Sequence, residues 1–346
     1  MPDLKPIHIV GGGLAGLALG LALRQRQMPV TVVEAAKYPR HRVSGEFISG
    51  RGLEVLERLA LRERLLQGGG RWAHTAAFHV QGQRPVQQRL PRPALCVSRY
   101  VLDDLLAREF CRLGGVLRLP ERWSQGYGGE GVVRATGRRG QPSVRGWRWF
   151  GLKVHARGVA LQADLEMHLR SDGYVGLCRL NDACNVCGLF RTRTPLPRLA
   201  VEWKEMLRGE PGSDLRARLA GAEFDEASFC AVAGLCVAPR PAGEPGECAL
   251  GDALTMTPPI TGNGMSMAFE SAELAVEPLI GYSLGECSWD DARGWIAQEC
   301  RRRFRHRLRN AALLHRALFR PVAKRLLLAV LLRFPRLLRA SFTRTR

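Results

Sequence analysis

Gly11, Gly13 and Gly16, spaced G-x-G-x-x-G, are the residues of this chain whose type and spacing point most directly to chemistry. They follow an apolar run, Ile7 to Val10, and open a helical pattern of Leu14, Leu17, Ala18, Leu21 and Ala22. A second apolar run, Val30 to Val33, ends on Glu34. Each part has a job in holding a dinucleotide. Gly11 permits a tight turn, Gly13 lets the backbone approach a pyrophosphate, and Gly16 lets the helix lie close to the strands. The helix start at Leu14 and Ala15 offers free N–H groups and a positive dipole end to the phosphates. Glu34, 18 residues beyond Gly16 with Ala35 beside it, stands where an acid binds ribose hydroxyls. An ordinary glycine-rich strand–helix turn would not require Glu34.

Residues 248–275, CALGDALTMTPPITGNGMSMAFESAELA, carry a second constellation. An apolar strand end meets Gly251-Asp252, a Pro- and Gly-rich loop runs from Pro258 to Gly264, and a helix starts near Met265. Here the chain resembles FAD enzymes of the p-hydroxybenzoate hydroxylase fold, which include class A flavin monooxygenases and geranylgeranyl reductases. The resemblance implies that Asp252 binds the ribityl chain. It also implies that the backbone of Gly262, Asn263, Gly264 and Met265 lies beside the flavin pyrimidine ring. A helix N-terminus aimed at that ring would stabilise the anion of reduced flavin, because the dipole favours negative charge there.

Other landmarks belong to the same resemblance. Arg99, in VSRYVLDDLLARE, matches an Arg-x-x-Leu-Asp pattern that opens a helix and touches the cofactor. VRATGRRG, residues 133–140, takes the place of a second nucleotide-contacting segment and brings in Ala135 and Gly137. The usual form is Ala-Asp-Gly-x-x-Ser; Thr136 replaces the Asp and Gly140 the Ser. Arg42-Val43-Ser44-Gly45-Glu46 is similar to a reductase motif carrying Cys-Gly beside the flavin, with Ser44 in place of the Cys. Ser44 and Glu46 are the candidate catalytic residues. Glu46 is the only carboxylate of that loop. It would orient substrate or transfer a proton, or else cap a neighbouring segment or pair with Arg42. WRWFGL, residues 147–152, has paired Trp but lacks the Ile-Pro of the halogenase motif, which disfavours that branch.

These residues require an α/β (α+β) fold. A Rossmann-like FAD-binding domain is expected from residues 1–70, 96–140 and 238–285. An interleaved antiparallel-sheet substrate domain would take 71–95 and 141–237, and basic amphipathic helices 286–346. The segments WRWFGLKVHA, ALQADLEMHL, GYVGLCRL and CNVCGLF alternate like strands, with Gly turns between them. Lys153 and His155 share one strand face, and Gln162, Asp164, Glu166 and His168 another. A hairpin through residues 157–160 would set Lys153 near Asp164. That polar face would line the substrate cavity or, as polar strand faces usually do, meet water; the second is expected.

The formal net charge is +20, but the body is close to balanced. Residues 300–346 hold fourteen Arg, one Lys and no Asp or Glu, interleaved with Leu and Phe at helical spacing. Two readings stay open: helices lying on an anionic membrane surface, or a helix pair packed on the body with its Arg side chains reaching water. No nucleic-acid motif accompanies the charge, so nucleic acid is not an expected partner. Ten cysteines without a leader pattern imply a reducing cytoplasm, with a place on the inner face of the membrane open. Cys184-x-x-Cys187 lies in a strand pattern that points the two thiols to opposite faces, so they read as small core residues. His8, His41, His74, His79, His306 and His315 have no partner spacing and read as structural or surface groups. No metal is expected.

The expected function is that of an FAD oxidoreductase, an NAD(P)H-dependent monooxygenase of an apolar or aromatic small molecule. The alternatives are a geranylgeranyl-reductase-like enzyme acting on a lipid, and a non-catalytic flavin-fold protein at a membrane. NAD(P)H is expected to dock transiently, as the resemblance implies, since no second dinucleotide fingerprint is present.

Overall fold

The computed structural model describes residues 4–138, 140, 143, 146–193, 199–235, 246–320 and 323–324. Its strands are β1 (Ile7–Val10), β2 (Val30–Val33), β3 (Phe47–Ile48), β4 (Arg71–Val80), β5 (Val86–Cys96), β6 (Val116–Arg118), β7 (Val132–Arg134), β8 (Arg148–Arg157), β9 (Leu165–Leu169), β10 (Gly173–Arg179), β11 (Cys184–Thr192), β12 (Glu223–Ala233) and β13 (Cys248–Ala249). Its helices are α1 (Leu14–Gln25), α2 (Arg51–Arg58), α3 (Arg62–Gln67), α4 (Arg99–Arg112), α5 (Leu199–Arg208), α6 (Asp214–Arg218), α7 (Gly264–Leu284) and α8 (Trp289–Leu318).

One sheet runs β13-β7-β1-β2-β6 and is parallel throughout. Its central strands are short and apolar because parallel strands are buried on both faces. Helix α1 packs against α4 and α7, and Leu17, Leu21, Phe110, Phe269 and Leu279 join in one core. The glycines explain the tightness. Gly11 has φ +108°, and a Cβ there would stand 2.4 Å from the Ala135 carbonyl oxygen. A Cβ on Gly16 would stand 2.0 Å from the Gly11 carbonyl oxygen.

The second sheet runs β12-β8-β11-β10-β9-β4-β5-β3. It is antiparallel except where β4 meets β9 in parallel. One face looks toward the first sheet. The other packs on α5 and α6 through Trp203, Leu207 and Leu215.

That topology corrects two expectations. Strands β8 and β9 do not form a hairpin: β8 lies between β11 and β12, and β9 between β10 and β4. Lys153 is therefore not beside Asp164, which instead accepts the backbone N–H groups of His74 and Thr75. The polar faces are also not turned to water. Lys153, His155, Glu166 and His168 are all buried, because the sheet is covered on both sides.

The basic tail begins inside a long helix. Helix α8 starts at a capping box of Ser288 and Asp291. It buries Ala292, Ile296, Cys300, Phe304, Arg307, Ala311 and His315 along one stripe. Arg307 forms a buried pair with Glu270 of α7, Nη1 donating to Oε1 at 2.8 Å. The helix ends against the second sheet, where the rings of His315 and Phe319 lie 4.9 Å and 4.8 Å from that of Trp149. Residues 300–320 thus follow the packed-helix reading, and residues 325–346 lie outside the described residues. Among the described residues no helix is long and apolar enough to cross a membrane.

Candidate active site

A cavity of about 930 Å³ lies between the two sheets, near the upper end of small-molecule sites. Gly11, Gly13, Leu14, Ala15, Glu34, Ala35, Arg42, Ser44, Gly45, Glu46, Arg99, Ala135, Gly137, Gly251, Asp252, Gly262, Gly264 and Met265 all line it. Of the sequence candidates, only Gly16 and Asn263 do not. Gly16 sits behind Gly11, as its packing role requires, and Asn263 is buried at the start of α7.

Two helices open onto this cavity. Helix α1 begins after Gly13, with no side-chain cap and no acid in its first turn. A Cβ on Gly13 would meet nothing within 4 Å. Free N–H groups over empty space make a place for an anion. Helix α7 is likewise uncapped and free of acids in its first turn. Gly262 before it has φ +63°, and a Cβ there would collide with the Phe47 ring at 2.1 Å. At the end of β2, Glu34 accepts the Gly12 N–H at 2.8 Å and the Ala36 N–H at 3.0 Å, and pairs with Arg40 at 2.9 Å. Its carboxylate is fixed before any ribose arrives. Asp252 faces the cavity, with its side chain exposed to it. The protein walls around it push its carboxyl up to about 6, against the pull of Arg138 and Arg99.

Loop 40–46 ties the two sheets together. Arg42 pairs with Asp103 at 3.0 Å, and Arg99 holds the same carboxylate through Nε and Nη2 at 2.7 Å and 2.8 Å. The Ser44 carbonyl accepts Asn185 Nδ2 at 2.9 Å, and its hydroxyl lies 3.2 Å from Met265 Sδ. Glu46 adopts φ +58°, a left-handed conformation uncommon outside glycine. Four contacts hold it there: the Val97 N–H on its carbonyl at 3.0 Å, the Arg99 N–H on Oε1 at 3.0 Å, His155 Nε2 on Oε2 at 2.7 Å and Lys153 Nζ near Oε1 at 3.4 Å. Glu46 therefore caps α4 and does not pair with Arg42. Burial alone would raise its pKa. The His155 hydrogen bond and the Lys153 charge outweigh burial and hold it below the usual glutamate range.

Lys153, His155 and His41 complete a polar nest; the sequence placed Lys153 and His155 on one polar strand face, expected to meet water, and gave no sign of His41 beside them. Lys153 Nζ donates to His41 Nδ1 at 3.0 Å, which leaves the His41 proton on Nε2. Burial first, and then Lys153, push His41 down to about 4, so it is neutral at pH 7. His41 stacks on Tyr100 at 4.6 Å and is a wall of the site, not the structural or surface group its spacing suggested. A signal for the burial of Lys153 and His155 was present. In WRWFGLKVHA a lysine and a histidine interrupt an otherwise apolar strand, and β8 is buried from Trp149 to Ala156. Cys187 and Cys230 flank Lys153 across the sheet. Cys184 lies on the far face, so the two thiols of the C-x-x-C diverge as their spacing predicts, and both are free.

Residues 5–114 match the FAD binding domain family. No curated protein sequence matches the chain. Solved structures share its fold. The flavin-dependent brominase Bmp2 superposes with a TM-score of 0.75 at 16% identity, over 100% of this chain and 94% of its own. PqsL from Pseudomonas aeruginosa, described as a probable FAD-dependent monooxygenase, gives 0.69 at 18%, over 92% and 98%. The myxobacterial chondrochloren halogenase CndH gives 0.68 at 19%, over 88% and 80%. The chain shares the fold of these flavin-dependent enzymes, and the match to an FAD binding domain makes FAD its cofactor.

Proposed function

We propose that this FAD-dependent enzyme is a monooxygenase of an apolar or aromatic small molecule, reduced by transiently docked NAD(P)H. The observation that carries this reading is the continuity of one cavity, from the uncapped start of α1 to an apolar roof that includes Phe78, Leu90, Met167, Tyr174, Leu189 and Met256. The residues fit FAD. Leu14 to Gly16 would receive the pyrophosphate, Glu34 the adenosine ribose, Asp252 the ribityl chain and the α7 N-terminus the pyrimidine edge. When bound, FAD supplies electron storage and oxygen activation.

The remaining work belongs to the chain. The roof excludes water and accepts an apolar ring. Both helix dipoles favour negative charge where it would develop. Glu46 is a carboxylate already satisfied by Arg99, His155 and Lys153, so it is a positioning residue and not a proton donor near neutrality. His41, neutral and half-exposed at the wall, is the group able to take or pass a proton at Nε2.

PqsL has been solved with 2-aminobenzoylacetate, which suggests a first probe. FAD-loaded protein should consume NADH or NADPH faster when this or a related aryl compound is added, and only when oxygen is present. Equal, probe-stimulated consumption without oxygen would favour the reductase alternative. No consumption with any probe would leave a non-catalytic flavoprotein. Halogenation is the second reading, because a brominase covers the full chain; a bromide-dependent, brominated product in the same assay would select it.

A further inference from the structure

A second cluster lies on the face of the second sheet that packs on α6; of its residues only Glu166 also borders the flavin cavity. His79 of β4 and His168 of β9 are direct neighbours in the parallel register. Their rings stack at 4.1 Å with an angle of 15°. Glu166, two residues before His168, points Oε2 at both: His168 Nε2 is 3.0 Å away and His79 Nε2 is 3.4 Å away. All three side chains are buried, and these three atoms lie within 4.8 Å of one another.

The hydrogen bonding around them is unbalanced. Asp214 of α6 sits 3.2 Å from His79 Nδ1. A neutral His79 that donates Nδ1–H to Asp214 carries a bare lone pair on Nε2. That lone pair faces a carboxylate oxygen, and His79 Nε2 has no hydrogen-bond partner although its side chain is 3% exposed. Two electron-rich atoms held face to face call for a cation between them. The other Glu166 oxygen is occupied by the N–H groups of Gln162 and Ala163, which leaves Oε2 for that role. Arg218 Nε touches Oε2 at 3.3 Å; a carboxylate oxygen has lone pairs for both.

We propose that His79, Glu166 and His168 bind one divalent transition-metal ion, zinc first. Zinc bonds of about 2.0–2.1 Å in a tetrahedron separate the ligand atoms by about 3.3 Å, close to the 3.4 Å and 3.0 Å found here. Two imidazoles and one carboxylate form a borderline donor set suited to zinc. Asp214 supplies the outer carboxylate that metal-bound histidines usually have. A cavity of about 30 Å³ bordered by His79, His168, Ser213 and Asp214 has room for one water as fourth ligand. The ion would tie β4, β9 and α6 together behind the substrate roof. No metal is expected from sequence because His79 and His168 are 89 positions apart and meet only through the β4–β9 pairing.

The test uses tag-free, full-length protein, stripped with a chelator and titrated with Zn²⁺ or Co²⁺. One equivalent of zinc should bind by elemental analysis, Co²⁺ should give the intense visible bands of a tetrahedral site, and zinc should raise the melting temperature. Asp214→Asn, an outer residue, should weaken binding about 10–100-fold. His168→Gln should abolish binding yet retain FAD, since His168 does not border the flavin cavity. Absence of stoichiometric metal and of the cobalt bands in folded wild-type protein would overturn the site. Undiminished binding in folded His168→Gln would overturn it as well.

Discussion

Gly13 and Gly16 stand three positions apart and behave in opposite ways. A side chain at Gly16 collides with backbone, whereas one at Gly13 meets no protein atom within 4 Å. Gly16→Ala should therefore cost stability. Gly13→Val should fold normally, melt like the flavin-free parent and fail to retain FAD. A Gly13→Val protein with one equivalent of FAD would show that the pyrophosphate lies elsewhere. Glu46 calls for a paired experiment. Glu46→Gln leaves Lys153 as an uncompensated buried charge, which costs about 3–5 kcal/mol of stability. Adding Lys153→Met should restore most of that loss, measured by urea unfolding, while turnover stays low and FAD stays bound. Full turnover in the double variant would reduce Glu46 to a structural pair. The pH dependence has a definite sign. The folded pKa of Glu46 lies below its ordinary value of 4.5, so its contribution is fully present above that value. It is lost as pH falls through the folded pKa.

Among the elements, the β-α-β start and the Gly251-Asp252 to Met265 segment were legible because their signals are local: apolar runs, glycine spacing and a helix start. The second sheet was legible as an antiparallel sheet but not in its strand order. Alternation marks a strand and its two faces, yet it does not say which strand lies beside it. The parallel β4–β9 pairing breaks the expected β8–β9 hairpin, and with it the placement of Lys153. It also moves the polar faces from water to interior. Helix α8 shows the same limit. Arginine-rich periodicity fits a membrane-facing helix and a packed one equally, and the buried Arg307–Glu270 pair is visible only in three dimensions. Arg307→Ala should cost about 3–5 kcal/mol by stranding Glu270. An Arg307→Met, Glu270→Leu double variant should come out close to neutral, as buried pairs replaced by apolar residues often do. A single-variant loss below 1 kcal/mol in thermal or urea unfolding would show that α8 is not held through this pair.

For the whole molecule, packing and charge separate along the tail. Arg301, Arg302, Arg305, Arg309 and Arg316 are exposed on α8, and Arg320 just beyond it, while the opposite stripe is core. A chain ending at Glu299 should therefore lose stability and FAD whatever the tail binds. A chain ending at Arg320 should keep both, which makes it the right variant for the proposed anionic membrane surface. Full-length protein should co-sediment with anionic liposomes more than with neutral ones. Binding should weaken as salt rises, since screening acts within about 8 Å at physiological ionic strength, and the chain ending at Arg320 should bind much less. Equal sedimentation of both chains, or no preference for anionic lipid, would rule out residues 321–346 as an anchor. The central claim is that the shared cavity lets bound FAD direct an oxygen atom into an apolar or aromatic substrate. Its most direct test is turnover of the FAD-loaded protein with NAD(P)H and an aryl substrate under ¹⁸O₂, read by mass spectrometry of the product. The account predicts one ¹⁸O atom per product molecule and no product under anaerobic conditions; an unlabelled product, or one formed equally well without oxygen, would contradict it.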